Sequence, residues 1–571
     1  MGIDEQVSAW ELKGKGAAGG TVLKVVADTE GRLWLASPAG LFCRQDGAWR
    51  AVRRGVSFWR VTTVAASGRH LWLAGMPGGM IRSTNGGQTW HDCWIEQTDA
   101  PVVAIAPSPD FQRDRVLLAG TDGDGILRST DGGRHWDLSN FGLREFAVLD
   151  VVLAPKAGRY EFAFAITENS FYQSPNGGRA WRLVEMGAIR PVALTLSPNF
   201  SDDRTLYLGT EDGELFVSCD AGLSWQLLAD AFDGVNGLLF TPDGRLLVGT
   251  ESDIQYLENG VKTVSTELQA PLLSLAAAND TLYAGLVDGL WLSTDQGRTW
   301  QADEALSARR MVWFGAQSAD CWWMAGPEEG VWLSEDGGQT WTAVWENTPV
   351  LAVASDAQKL WVNTLDGLIV SADRGQTWGL AQEEEALVAL AVLAGAVWIG
   401  NGQGQVWRQV DENWEAVEVP FAGQQLLGFL GDETVLFAAV WSATSQSCEL
   451  WRFDGEAAWQ LGFSQKAGAV LPQVAVSETD ILVGLGMHVY RLTADGWRRE
   501  RVGSVDRPVT ALCALPTGGW LAAVTDNLLH SEDGKVWSAL ENNLPGEAVV
   551  SLQVVGDQLM AGTAEGKVWV S

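Results

Sequence analysis

Basic residues are in short supply in this sequence. Its 571 residues include 39 Lys and Arg against 71 Asp and Glu, so the formal net charge at pH 7 is -32. Proteins that bind nucleic acids or anionic membrane surfaces do so largely through Lys and Arg. The charge therefore argues against both kinds of partner and is typical of a protein that resists non-specific association.

Cysteine, histidine and long apolar runs are scarce as well. The six Cys lie far apart without a CxxC spacing, which predicts buried thiols in a reducing compartment, although an even number leaves disulfides open. The five His show no HxH or HExxH spacing and no phosphate-binding glycine motif occurs, so neither a metal nor a cofactor is predicted. No apolar run reaches transmembrane length and no secretory leader is recognised, so we expect a cytoplasmic protein without membrane insertion.

One eight-residue phrase recurs along the chain. Its pattern is Ser-x-Asp/Asn-x-Gly-x-x-Trp, and we call each copy a box. The clear copies are Ser83–Trp90, Ser129–Trp136, Ser174–Trp181, Ser218–Trp225, Ser293–Trp300, Ser334–Trp341 and Ser371–Trp378, with a shorter copy at Ser531–Trp537. Weaker copies end at Trp49, Trp414, Trp459 and Trp497.

The spacing of the box Trp residues sets the period. From Trp10 the steps are 39, 41, 46, 45 and 44, then 75 across a copy that lacks its Trp near Lys262, then 41, 37, 36, 45, 38 and 40. A period near 40 is that of a four-stranded propeller blade. The chain length of 571 residues divided by this period predicts about fourteen blades.

Each repeat contains three apolar strands and a more polar fourth strand, separated by Gly, Asp and Asn turns. In the seventh repeat these are "PLLSLAAAN", "DTLYAGLV", "DGLWLSTDQGRT" and "WQADEAL". Strands that are apolar nearly throughout need cover on both faces, which neighbouring blades supply. The fold class is therefore all-β. Since rings of four to eight blades are usual, about fourteen four-stranded blades predict two seven-bladed β-propellers.

The Asp residues of the boxes resemble a carboxylate array, but turn chemistry explains them. An Asp or Asn side chain accepts backbone N–H groups ahead of it in a tight turn, and Gly tolerates a positive φ there. Asn85 and Asn176 stand at the same position as Asp336, and an amide cannot act as a general acid. We therefore interpret these residues as turn formers.

The two ends of the chain complement each other. The C-terminal repeat contains only three strands, and the N-terminal stretch "VSAWELKGKG" resembles a fourth strand. The prediction is that residues 1–15 complete the last blade, residues 16–307 form the first seven-bladed propeller and residues 308–571 form the second. Closure of this kind would remove an exposed sheet edge.

The boxes resemble those of the Asp-box (bacterial neuraminidase repeat) β-propeller superfamily. Segments such as "LSPNFSDDRTLYLGTEDGELFVSCDAGLSW" are similar to repeats of photosystem-assembly-factor-like bacterial proteins. Two-propeller xyloglucanases are more distant relatives. The resemblance implies the fold but not one activity, because Asp-box propellers serve different functions.

The resemblance implies catalytic residues only if their motifs are present. The sialidase Arg-Ile-Pro motif is absent, since "IRP" at Ile189–Pro191 has the wrong order and place, and all six Tyr lie in apolar strands. The first repeat lacks the "TDVGG"-like segment of xyloglucanases, and Asp46 is the single position there that carries over. A glycosidase would need a second carboxylate.

Residues that break the repeat pattern are the candidate binding residues. Arg and Trp are enriched in interaction hot spots, and the candidates are Trp59, Arg53, Arg54, Arg309, Arg310, Trp313, Trp322 and Trp441. For the Trp residues the alternative is packing between blades, and for the Arg residues it is ordinary surface. The longer segment "VWSATSQSCEL" is a further candidate, because irregular insertions often carry function.

Two functions remain open from the sequence. The first is a non-enzymatic scaffold or assembly factor that holds a protein partner or multi-protein complex on a propeller face. The second is a glycan-binding or glycoside-hydrolysing protein with a site in the cleft between two propellers. The absence of a recognisable catalytic constellation favours the first.

Overall fold

The structure is a computed structural model. It describes residues 11–14, 20–28, 30–45, 47–52, 60–76, 79–95, 100–158, 160–258, 261–268, 270–278, 280–303, 305–306, 309, 311, 313–318, 320–327, 329–346, 349–382, 387–393, 396–410, 413–431, 435–453, 459–466, 471–477, 480–493, 499–504, 508–515, 518–524, 527–540, 549–555, 558–564 and 566–571. In this part of the chain 57 strands form fourteen sheets.

Strand β1 (Glu11–Gly14) comes first, and the next 29 strands form blades 1 to 7 in chain order. They are β2 (Lys24–Ala27), β3 (Leu33–Ser37), β4 (Gly40–Gln45) and β5 (Ala48–Ala51); β6 (Arg60–Ser67), β7 (His70–Met76), β8 (Met80–Ser83) and β9 (His91–Asp92); β10 (Trp94–Ile95), β11 (Val102–Pro107), β12 (Leu117–Thr121), β13 (Ile126–Ser129) and β14 (His135–Leu138); β15 (Val148–Leu153), β16 (Ala163–Thr167), β17 (Phe171–Ser174) and β18 (Arg182–Val184); β19 (Pro191–Leu196), β20 (Leu206–Thr210), β21 (Leu215–Ser218) and β22 (Gln226–Ala229); β23 (Gly237–Phe240), β24 (Leu246–Gly249), β25 (Asp253–Glu258) and β26 (Val261–Glu267); β27 (Leu272–Ala278), β28 (Thr281–Leu286), β29 (Leu290–Ser293) and β30 (Gln301–Ala302).

Blades 8 to 14 follow in the same way. Their strands are β31 (Trp313–Ala316), β32 (Trp322–Gly326), β33 (Gly330–Ser334) and β34 (Thr342–Trp345); β35 (Val350–Ser355), β36 (Leu360–Thr364), β37 (Gly367–Ser371) and β38 (Gly379–Gln382); β39 (Leu387–Leu393), β40 (Ala396–Asn401), β41 (Val406–Val410) and β42 (Asn413–Val417); β43 (Gln425–Gly431), β44 (Leu436–Ser442), β45 (Ser447–Phe453) and β46 (Trp459–Lys466); β47 (Gln473–Val476), β48 (Asp480–Leu485), β49 (His488–Thr493) and β50 (Arg499–Ser504); β51 (Ala511–Ala514), β52 (Trp520–Val524), β53 (Asn527–Ser531) and β54 (Ser538–Ala539); β55 (Val549–Val555), β56 (Gln558–Thr563) and β57 (Val568–Val570).

Within each blade four strands pair antiparallel in chain order, and in blade 3 the additional two-residue strand β10 pairs parallel with the outer strand β14. The inner strand of blade 3 is therefore β11. The first strand is innermost, and the first strands of successive blades contact one another. In blades 1 to 7 this series returns from β27 to β2, and in blades 8 to 14 it returns from β55 to β31. The chain thus forms two closed rings of seven blades, as the period predicts.

The two rings close differently. The first ring closes by packing, because β2 and β27 contact each other but belong to separate sheets. In the second ring, β1 pairs antiparallel with β57 and supplies the fourth strand of blade 14. The predicted completion of the last blade by the N-terminal strand is confirmed.

By contacts the chain divides into two compact units. One consists of Ala18–Ala308 and the other of Met1–Ala17 together with Arg309–Ser571. The described part contains two four-residue helices, α1 (Phe111–Asp114) and α2 (Phe200–Asp203), which insert buried Phe111 and Phe200 after the first strands of blades 3 and 5. No helix in the described part of the chain has the length and apolarity needed to cross a membrane.

The core lies between adjacent blades. The second strands are buried along most or all of their length, fully so in β12 and β16, whereas the outer strand β22 is mostly exposed. One core cluster joins Leu118 of blade 3 to Val151 and Tyr172 of blade 4. Apolar runs of five residues therefore belong to strands covered on both faces.

Candidate functional site

The box turns have a closed set of internal hydrogen bonds. In the turn after β33, Ser334 Oγ donates to Asp336 Oδ1 (2.7 Å) and accepts from the Gly338 amide (2.8 Å). Asp336 Oδ1 also accepts the Thr340 amide (2.9 Å), and Oδ2 accepts the Thr340 hydroxyl (2.6 Å). The carboxylate is thus engaged by the turn itself.

These contacts keep the box carboxylates ionised. Hydrogen bonds from the Thr340 side chain and backbone lower the pKa of Asp336 to about 2, and those from Thr377 lower the pKa of Asp373 to about 2. Asn85 forms the same turn, accepting from Ser83 Oγ and the Thr89 amide. A group that an amide can replace has a structural role, so the functional site lies elsewhere.

Blade 8 contains three of the predicted interface residues. Arg309 is buried, its Nη1 lies 2.8 Å from Glu329 Oε2, and its guanidinium lies 4.2 Å from the ring centroid of Trp332. Trp322 is 4% exposed and packs in a core cluster, while Trp313 is half-buried against a neighbouring cluster. The structure therefore places both Arg309 and Trp322 in the interior. Arg309 lies against residues of its own blade, whereas Trp322 packs in a cluster shared with blade 14.

The remaining predicted residues fall into two groups. Arg53, Arg54, Trp59 and Arg310 lie outside the described residues, as does Asp46. Trp441 lies on β44 of blade 11, half-buried, paired with Gln425 and Cys448. It is distant in the chain from the blade 8 residues, and the interface role of the whole set remains a prediction.

Blade 11 is the largest blade of the second ring, with strands of seven, seven, seven and eight residues. Its β44–β45 hairpin contains the irregular segment noted in the sequence. The turn residues Ala443–Gln446 are exposed, and Gln446 has a positive φ of 49°. Because the strands are long, this turn lies at the end of the blade and its side chains are exposed to solvent.

A carboxylate lies at the base of this turn among hydroxyl groups. Glu449 Oε2 accepts the Trp451 indole N–H at 3.1 Å, and Oε1 lies 3.4 Å from the hydroxyls of both Ser445 and Ser447. The two hydroxyls are 2.6 Å apart, and Ser464 Oγ donates to Ser447 Oγ at 3.3 Å. We call these five residues the Glu449 cluster.

The strand register decides which side chains share a face. Ser447, Glu449 and Trp451 alternate along β45 and therefore point to one side of the sheet. Trp451 packs there against Phe421, which precedes blade 11 in the chain. Trp441 lies opposite Cys448 and belongs to the other side, so the cluster and Trp441 do not form one site.

Amide side chains lie next to this face. The turn of blade 10 is held by Asn401, whose Oδ1 accepts the amides of Gln403 and Gln405. The Gly423 amide donates to the Gln403 carbonyl at 2.8 Å and joins this turn to the start of blade 11. Gln424 follows, and its buried Oε1 accepts no hydrogen bond from the described residues. We call Asn401–Gln405, Gln424 and the Glu449 cluster the polar surface.

The first ring contains a titratable group that the sequence did not reveal. Asp150 stands on the inner strand β15 opposite Ile166, and Lys24 stands at the matching place on β2 opposite Ala36. Burial raises the pKa of the Asp150 carboxyl, against the opposing effect of Lys24. Other inner strands have Ala104, Ala193 and Gly237 at this position. The ionisable residues Asp150 and Lys24 stand out from these small residues only when the inner strands are aligned by their pairing with the second strands.

The described residues contain no candidate metal site. Among the described residues, no three His, Cys, Asp or Glu side chains are grouped so that they could hold a metal ion. No disulfide joins the six Cys, and four of them are buried.

Comparison with known proteins gives structural neighbours only. No protein-family model matches the sequence, and no curated protein matches it. A GH74 enzyme of Niastella koreensis matches 98% of this chain over 99% of its own, with a TM-score of 0.69 at 16% identity. An ancestral GH74 enzyme matches 99% of this chain over 98% of its own, with a TM-score of 0.52 at 13% identity.

A third neighbour is PorZ, a surface component of the type-IX secretion system of Porphyromonas gingivalis. It matches 98% of this chain over 86% of its own, with a TM-score of 0.50 at 14% identity. At these identities the likeness shows the fold, which runs through both rings. The neighbours resemble the two-propeller relatives that the sequence indicated, while the Asp-box and photosystem-assembly resemblances remain predictions.

Proposed function

We propose that the protein binds a neutral polysaccharide through the polar surface of blades 10 and 11. The observation that carries this proposal is the Glu449 cluster, in which one carboxylate, three hydroxyls and an indole N–H lie beside an exposed turn. Sugar hydroxyls both donate and accept hydrogen bonds. A surface that offers both kinds of group in a fixed arrangement suits them.

The amides extend this surface in the same chemical sense. The exposed side-chain amide of Gln405 accepts a hydrogen bond from Asn401 Nδ2 at 2.7 Å and can donate to a sugar hydroxyl. The exposed Ser445 hydroxyl and the side chain of Gln403 offer further partners of the same kind.

The comparisons support this proposal more than the scaffold favoured by the sequence. Two of the neighbours are GH74 enzymes that match nearly the whole chain. PorZ is described as a surface component, so these neighbours give no support to the predicted cytoplasmic location. Glycoside hydrolysis is the natural extension of glycan binding, and it requires two carboxylates placed across the bound sugar.

Affinity electrophoresis in gels containing xyloglucan, mixed-linkage β-glucan, galactomannan or hydroxyethyl cellulose tests the proposal. We expect at least one polysaccharide to retard the protein. Glu449→Gln should weaken that binding about tenfold or more, because a charge-assisted hydrogen bond contributes about 1.5–3 kcal/mol. The control is Glu415→Gln, an exposed glutamate on the outer strand of blade 10.

Retardation by none of the polysaccharides would overturn the proposal, and so would equal binding by the two variants. Release of reducing ends from the same polysaccharides measures hydrolysis separately. Binding with no release would establish a binding protein, whereas release would establish an enzyme.

A further inference from the structure

The connection from blade 3 to blade 4, Ser139–Ala147, is held firmly on its blade 3 side. The amides of Gly123 and Gly125 both donate to the Phe146 carbonyl, at 3.2 and 2.8 Å. Asn140 Oδ1 accepts the Ile126 amide and Asn140 Nδ2 donates to the Asp124 carbonyl, each at 2.8 Å. These hydrogen bonds anchor the segment to blade 3.

Blade 4 holds the same segment from the other side. Glu145 accepts the hydroxyls of Thr167 (2.6 Å) and Ser170 (2.7 Å), which belong to the turn between the second and third strands of blade 4. The Trp181 amide donates to the Phe141 carbonyl at 2.8 Å. Gly142 has a φ of +89°, and a Cβ there would lie 2.0 Å from the Trp181 carbonyl oxygen, so this approach requires glycine.

This rigid segment exposes apolar side chains. Phe141 is 80% exposed and Phe146 44%, and Leu149, at the start of the next strand, is 41% exposed. We call these three residues the Phe141 patch. Aromatic rings held in solvent by a fixed backbone mark an interaction surface, because binding there needs little further ordering of the chain.

Acidic side chains surround the patch. Asp122 and Asp124 lie in the turn of blade 3 that bonds to the segment, while Glu145 and Glu168 lie on its blade 4 side. Arg144 is the basic residue of the segment. Arg182 follows Trp181 on the blade 4 side. Four carboxylates against two guanidinium groups make the surroundings negative, in agreement with the net charge of -32. A partner complementary to this surface is cationic.

We propose that the Phe141 patch docks a protein segment that carries Lys or Arg together with apolar side chains. The apolar side chains of the partner cover Phe141 and Phe146, and its cations face the surrounding carboxylates. The negative charge around the patch repels anionic partners. A neutral glycan has no cations to pair with these carboxylates. The proposal concerns the first ring and is independent of the polar surface in the second.

Hydrogen–deuterium exchange and fluorescence anisotropy test the proposal with two synthetic twelve-residue peptides. One alternates Lys with Leu and Phe, and the other has Glu in place of Lys. We expect the cationic peptide to bind and to slow exchange in residues 139–147. Phe141→Ser with Phe146→Ser should weaken binding at least tenfold. Raising the salt from 50 to 500 mM should weaken it as well, because salt screens exposed charges.

Leu223→Ser is the matched control, since Leu223 is 50% exposed in the box of blade 5 in the same ring. This variant should bind the cationic peptide like the original protein. Equal binding of both peptides, or equal binding by the Phe141→Ser/Phe146→Ser and Leu223→Ser variants, would overturn the proposal.

Two further results would assign the patch to another occupant and so overturn the proposal. One is slowed exchange in residues 139–147 with xyloglucan but not with the cationic peptide. The other is self-association in sedimentation experiments that the Phe141→Ser/Phe146→Ser variant abolishes. Glu449→Gln should leave peptide binding unchanged, so a failure here is distinguishable from a failure of glycan binding.

Discussion

The aspartates of the boxes show how one side chain can organise a turn. Asp336 accepts two backbone amides and two hydroxyls within the seven residues Ser334–Thr340. Each bond is local, so the same turn forms in blades with different neighbours. Because these bonds favour the ionised carboxylate, the turn couples the stability of the blade to pH.

Asp336→Asn should flatten the acid dependence of stability. The pKa of Asp336 is about 2 in the folded protein against an ordinary value of 3.8. A lowered folded-state pKa contributes stability that is present above about pH 4 and lost as pH falls through about 2. Between pH 5 and pH 2, the thermal unfolding temperature should therefore fall less steeply for Asp336→Asn than for the original protein.

Asn85 already forms such a turn, so the variant should remain folded at pH 7. Asp137→Asn, which removes an exposed aspartate outside the boxes, controls for the change in net charge. If the unfolding temperature depended on pH equally steeply in Asp336→Asn and in the original protein, the stability of the turn would not depend on ionisation of Asp336.

The structural element that joins neighbouring blades is the box Trp. In some blades its indole N–H donates to the fourth strand of the preceding blade or the residue after it, as from Trp181 to the Ser139 carbonyl (2.8 Å) and from Trp414 to the Ala381 carbonyl (3.0 Å). The Trp136 indole instead donates to the Gly133 carbonyl of its own turn. Five other box indoles have no partner among the described residues: those of Trp90, Trp225, Trp341, Trp459 and Trp537. Trp49 closes the first ring in the same way, donating to Asp303 Oδ2 at 3.0 Å. These Trp residues therefore lie between adjacent blades.

Trp181→Ala should destabilise the first ring by about 3–5 kcal/mol, the usual cost of truncating a buried aromatic side chain; Trp181 is 5% exposed. Trp181→Phe keeps most of the packing but leaves the Ser139 carbonyl without its donor, so about 1 kcal/mol is expected. Equilibrium urea unfolding measures both. Trp94→Phe, at a 60% exposed Trp, should change stability by less than about 0.5 kcal/mol. A Trp181→Ala cost as small as this control would contradict the proposed role.

At the scale of the whole molecule, the N-terminal strand contributes to the second ring. Glu11, Leu12 and Gly14 pair with Val570, Trp569 and Val568. This pairing covers the edge of β57, which would otherwise offer unpaired backbone groups. Blade 14 is therefore complete only when β1, the first strand of the chain, is paired with β57.

Leu12→Pro should open this closure, because proline cannot take a normal place inside a ladder. We expect faster hydrogen exchange in β56 and β57 and a lower unfolding temperature for blades 8 to 14. Exchange in β2 to β30 should stay unchanged. Leu12→Ala keeps the backbone amide and should retain protection. Equal protection in the Leu12→Pro variant would show that β1 is dispensable for closure.

The sequence by itself determined the number of blades, the box turns and the closing strand. All three depend on period and local turn chemistry, which a single chain displays directly. Only the tertiary structure decided which off-pattern residues are interior and which are exposed. Trp322 breaks the repeat yet is buried, because the space between blades takes large side chains wherever they occur.

The Phe141 patch and the Glu449 cluster could not be predicted from the sequence, because they too depend on tertiary structure. Phe141 lies in an ordinary connection in the sequence, and its exposure depends on hydrogen bonds to blades 3 and 4. The Glu449 cluster depends on strand register, which brings Ser464 of β46 beside β45. Such arrangements follow from pairing between strands, and pairing is fixed only when the blades fold.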